Sequence, residues 1–90
     1  PQVKACAQWL KDRLLSIGLD VELWEGEGAP IIYASDLRAG RNKDTLLLYC
    51  HYDVQPVDPL NLWTTPPFEP QIREGKIYAR GAADNKGQCF

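Results

Sequence analysis

One histidine, His51, stands two residues ahead of an aspartate, Asp53. An imidazole can bind a divalent metal through one ring nitrogen while a carboxylate takes the proton on the other, which fixes the tautomer and raises the basicity of the ligand. In an extended segment alternate side chains project to the same side, so His51 and Asp53 can act as such a pair. The spacing alone decides nothing, because a histidine closing a strand beside a loop aspartate gives the same pattern. Further along, Asp84 precedes Asn85-Lys86-Gly87, a common place for an aspartate to cap a helix.

These residues need elements to hold them. Val3, Cys6, Ala7, Leu10, Leu14 and Ile17 recur at steps of three and four, and Gly18 follows where a left-handed residue would end a helix; this predicts an amphipathic helix over 3–17. Residues 20–25 alternate, with Val21 and Leu23 on one side and Glu22 and Trp24 on the other, and 30–37 is rich in β-formers. Both read as strands. A third strand is expected over 45–50, where Leu46-Leu47-Leu48-Tyr49-Cys50 is continuously apolar, as in a central strand covered on both faces. His51 then falls at a strand's carboxyl end, where α/β sheets gather ligands. Five of the seven prolines lie between Pro56 and Pro70, which argues for a shaped loop, with Trp63 and Phe68 expected to anchor it by burying their rings. Glu74-Gly75 reads as the turn of a short hairpin joining 71–73 to 76–79.

The company of His51 narrows the alternatives. His51-Tyr52-Asp53-Val54-Gln55-Pro56 is followed by Trp63, Pro67-Phe68, Gly75-Lys76-Ile77-Tyr78 and Ala79-Arg80-Gly81-Ala82-Ala83-Asp84-Asn85-Lys86-Gly87. This run resembles the co-catalytic zinc exopeptidases and deacylases, which include carnosinase, cytosolic dipeptidases, aminoacylase, acetylornithine deacetylase, succinyl-diaminopimelate desuccinylase and glutamate carboxypeptidase. The resemblance implies an α/β fold, part of a three-layer α/β/α catalytic domain. It assigns His51 to one zinc ion, Asp84 to a carboxylate bridging two, and Asp53 to the catalytic role of orienting His51. It further implies a cis peptide between Asp84 and Asn85. The cofactor would be Zn2+, two per site, with Mn2+ or Co2+ as substitutes. Paired metals activate water and polarise an amide carbonyl. Ala79 departs from the glycine common before the Arg-Gly pair, which leaves the ligands untouched. Arg80 and Lys86 are read as structural or solvated cations rather than substrate contacts.

Tyr52, Gln55 and Pro56 are closer to the dipeptidase branch, so the expected activity is hydrolysis of a dipeptide or other short peptide. The rival is removal of an acyl group from an N-acyl amino acid. A rival of another class is a non-catalytic relative that keeps the motif as scaffold. Residues 1–90 are expected to be the amino-terminal part of the catalytic domain, since the chain opens on Pro1 and contains no methionine. A second histidine, further carboxylates, a glutamate general base and a lid or dimerisation domain would then lie elsewhere in a homodimeric parent, and this stretch alone would be inactive. A net charge of −2 and a pI near 5.2 offer no basic field for nucleic acid or anionic lipid. The apolar runs fall short of the roughly 20 residues that span a bilayer. Three cysteines, Cys6, Cys50 and Cys89, make no disulfide framework and suit the reducing cytoplasm. They are expected to be buried thiols, with Cys50 facing away from His51.

Overall fold

The computed structural model describes residues 1–89, which fall into two compact units, Pro1–Leu48 and the part from Tyr49 on. The first is built from a helix and an antiparallel ribbon. Helix α1 runs Gln2–Ser16, one residue earlier at each end than its periodicity predicts. Its carboxyl end closes in a Schellman arrangement: Gly18, at φ 89°, donates to the Leu15 carbonyl at 2.9 Å and Leu19 donates to that of Leu14 at 3.2 Å. Two carbonyls that the helix leaves orphaned are satisfied in this way.

Strands β1 (Asp20–Trp24) and β2 (Ile31–Ser35) pair antiparallel, Val21 opposite Ala34 and Leu23 opposite Ile32. Those four side chains are half-buried, and α1 packs on both strands. The covered stripe of α1 is Ala7, Leu10, Lys11 and Leu14, with Ala7 fully buried. It is narrower than expected, since Val3, Cys6 and Ile17 are exposed. A two-stranded ribbon is too small to cover a wider face. On the outer side Trp24 stacks on Tyr33, centroids 5.1 Å apart and planes within 10°. The two are diagonal neighbours in this register, within reach of aromatic rings.

The expected strand over 45–50 does not form. No described strand pairs with it, and Leu46, Leu47, Leu48 and Tyr49 are 77–90% exposed. An apolar run becomes a central strand only when neighbours take up its backbone groups and cover its faces, and the described residues supply neither. No helix among them is long and apolar enough to cross a membrane.

In the second unit the proline-rich stretch is a loop with a single 3-10 turn at Leu60–Leu62 and a cis bond before Pro59. Trp63 anchors it, half-buried, with its indole N–H donating to the Val57 carbonyl at 2.8 Å. Phe68 does not, being 65% exposed. Strands β3 (Gln71–Arg73) and β4 (Lys76–Tyr78) form the expected hairpin, with β4 ending one residue early. Glu74 and Gly75 have φ 52° and 74°, the left-handed pair of a two-residue hairpin turn. The Arg73 guanidinium lies 4.0 Å from the Tyr78 ring centroid, a diagonal cross-strand contact. The chain then turns through Gly81 to Asn85 and enters a one-turn helix, α2 (Lys86–Cys89).

Candidate metal-binding site

Two segments of the second unit meet here: the stretch from His51 to Pro56 and the turn from Arg80 into α2. Backbone shape at two glycines permits the approach. Gly81 is buried at φ 81°, and a Cβ on it would stand 2.7 Å from Val54 Cγ1. A Cβ on Gly87 would stand 2.8 Å from the Ala82 carbonyl oxygen. Within the turn, the Lys86 N–H donates to the Gly81 carbonyl at 3.3 Å. The peptide between Asp84 and Asn85 is cis.

The structure brings together His51, Asp53 and Asp84. His51 Nδ1 lies 2.9 Å from Asp53 Oδ1, and Nε2 lies 3.2 Å from Asp84 Oδ1, so one imidazole is held between two carboxylates. Hydrogen bonds to Asp53 first and Asp84 second raise the His51 pKa above its ordinary 6.5, against partial burial and the Lys86 ammonium. The electrostatics are specific. A neutral imidazole has one N–H and one lone pair; with both nitrogens facing carboxylates, the lone pair meets negative charge unless a cation stands between. A proton can be that cation, and so can a metal ion.

The donor set suits a divalent metal in kind. Nδ1 is engaged by a carboxylate, as in many metal-binding histidines, and Nε2 and Asp84 Oδ1 are separated by 3.2 Å. Two donors at about 2.0–2.2 Å on a tetrahedral ion stand roughly 3.3–3.5 Å apart. Among the described residues, no group of three or more His, Cys, Asp or Glu side chains converges to hold an ion by itself. The site faces solvent, with side-chain exposures of 36% for His51, 65% for Asp53 and 76% for Asp84. A shallow hollow beside Trp63, Arg73, Ile77 and Ala82 is not lined by any of the three.

Sequence reasoning missed the role of the Asn85 carboxamide. Its Oδ1 accepts from the Cys89 thiol at 3.2 Å and from the His51 N–H at 3.4 Å, the latter across a separation no local pattern encodes. The cysteines also depart from expectation. All three are free as anticipated, but exposed rather than buried. Cys89 has its pKa raised chiefly by a hydrogen bond with the Cys50 thiol and then by burial.

Residues 47–90 match the family described as peptidase family M20/M25/M40. Among curated proteins the chain is similar to the succinyl-diaminopimelate desuccinylases of Janthinobacterium sp. (strain Marseille), 42% identical, and Herminiimonas arsenicoxydans, 41% identical, each over 96% of this chain and 22% of the relative. That of Burkholderia ambifaria is 40% identical over 96% of this chain and 23% of its own length. The chain thus spans less than a quarter of the length of these relatives. No solved structure gives a significant match.

Proposed function

Because residues 47–90 belong to peptidase family M20/M25/M40, we propose that this chain is part of a metal-dependent hydrolase that cleaves an amide bond, the scissile amide being that of an N-acylated amino acid. The observation that supports this most directly is the His51 ring held between Asp53 and Asp84. In this reading His51 Nε2 and Asp84 would hold metal, and Asp53 would keep the His51 proton on Nδ1 and fix the orientation of the ring. When bound, a pair of zinc ions supplies the Lewis acidity that activates water and polarises the carbonyl. The remaining donors and the general base come from residues beyond these, in a three-layer α/β/α domain of a cytoplasmic homodimer, and this stretch alone is inactive.

The acyl substrate is favoured by the desuccinylases that the chain resembles. A second reading, hydrolysis of dipeptides, is favoured by Tyr52, Gln55 and Pro56 following His51. The two separate in one assay. The zinc-loaded full-length protein is offered succinylated and acetylated amino acids in parallel with unmodified dipeptides, and kcat/KM is compared. Higher values on the acylated set support deacylation, higher values on dipeptides overturn it in favour of the second reading, and no turnover of either leaves a scaffold role.

A further inference from the structure

Two cations on the turn that carries Asp84 reach back to the segment that carries His51. Lys86 Nζ donates to the backbone carbonyl of Asp53. Arg80 Nη2 donates to the carbonyl of Pro56 at 3.1 Å, its guanidinium lies 4.9 Å from the Trp63 ring centroid, and its backbone N–H donates to the Pro67 carbonyl at 2.7 Å. Among the described residues neither side chain forms an ion pair with Asp53 or Asp84. Both are half-buried, and each gives a side-chain donor to a main-chain oxygen of the facing segment. A carbonyl bond to a fixed turn holds backbone where a side-chain ion pair would hold only a side chain.

We infer that Lys86 and Arg80 are positioning residues, a pair of clasps that fix the 53–56 backbone to the Asp84 turn and so set the spacing between the His51 imidazole and the Asp84 carboxylate. The inference rests on the metal-binding reading of that pair. Lys86 is the sharper member, because its two possible effects have opposite signs. Its ammonium, held on the carbonyl of Asp53, is a positive charge beside the His51–Asp84 pair, and like-charge repulsion opposes a bound metal ion there. Were charge its whole influence, removing it would tighten metal binding. As a clasp its removal weakens binding, because the two ligands are no longer held at one spacing. Arg80 acts on the same segment from three residues further along, so the two effects are coupled rather than additive.

The test measures zinc affinity of the full-length protein by competition with a chromophoric chelator, with near-UV circular dichroism recording that each variant is folded. Lys86→Met is expected to weaken zinc binding about tenfold, at the lower end of what outer-shell changes cost. Lys86→Arg, which keeps charge and donor, is expected to restore most of it. Arg80→Met weakens binding in the same direction, and the double variant loses less than the two separate losses combined. Should Lys86→Met not fold, Lys86→Gln removes the charge while keeping a polar side chain and carries the same expectation. Unchanged or tighter zinc binding in the neutral Lys86 variant overturns the clasp. His51→Ala separates the two ideas: if it leaves zinc affinity unchanged, the metal-binding reading itself fails, whereas loss of binding there with none in the Lys86 variant sinks the clasp alone.

Discussion

Asp53 is the residue whose contribution can be isolated most cleanly, because it touches the ring nitrogen away from Asp84. Replacing it with asparagine keeps the shape and removes the charge, so Asp53→Asn is expected to lower zinc affinity about 10–100-fold while leaving zinc stoichiometry recoverable at high metal. Equilibrium dialysis at graded zinc concentrations checks this. On the metal-binding reading, the proton and the metal would compete for one lone pair. With the His51 pKa raised above 6.5, zinc affinity is expected to fall as pH drops through that raised value and to level off above it. An NMR titration of the His51 ring in the metal-free protein locates the same midpoint, and Asp84→Asn moves it downward. The sign for stability is the reverse: a raised imidazole pKa favours the folded state below the unfolded value near 6.5, and that contribution is lost as pH rises through the folded pKa. At this scale His51, Asp53 and Asp84 were legible as residue types in an ordered motif. The Asn85 carboxamide and the Lys86 and Arg80 bonds were not, because a donor to a distant main-chain carbonyl leaves no periodicity behind.

Local elements were read best where local forces set them. The α1 stop followed from Gly18 and the β3–β4 turn from Glu74-Gly75, since each needs a left-handed residue in one place. The strand over 45–50 does not form among the described residues, because its existence depends on neighbours and not on its own composition. Phe68 was misread similarly: a ring is buried only if something lies across it. Gly81 is the element-scale constraint on the site. Gly81→Ala is expected to destabilise the protein by about 1–2 kcal/mol from left-handed backbone alone, with a further cost as Val54 is pushed aside. Urea unfolding of wild type and variant measures the two costs together. A drop in zinc affinity at matched folded fraction reports the second, since Val54 is adjacent to Asp53.

On the scale of the whole molecule, the first unit has a small core and the second almost none, with Ala7, Pro30 and Gly81 the buried positions among the described residues. The exposed run Leu46–Tyr49 is an apolar surface of the kind that soluble monomers seldom leave open. If a three-layer sheet takes it up, amide hydrogens of 46–50 exchange slowly in the full-length protein and rapidly in the 90-residue chain. Equal, fast exchange in both would remove the central-strand expectation. One further consequence concerns the indole of Trp63. Trp9 and Trp24 precede Tyr49, and Trp63 is the single tryptophan after it, seated under the Arg80 guanidinium. With Trp9 and Trp24 changed to phenylalanine, the emission spectrum becomes an optical gauge of this loop alone, shifting to the red when the guanidinium leaves the ring and water takes its place.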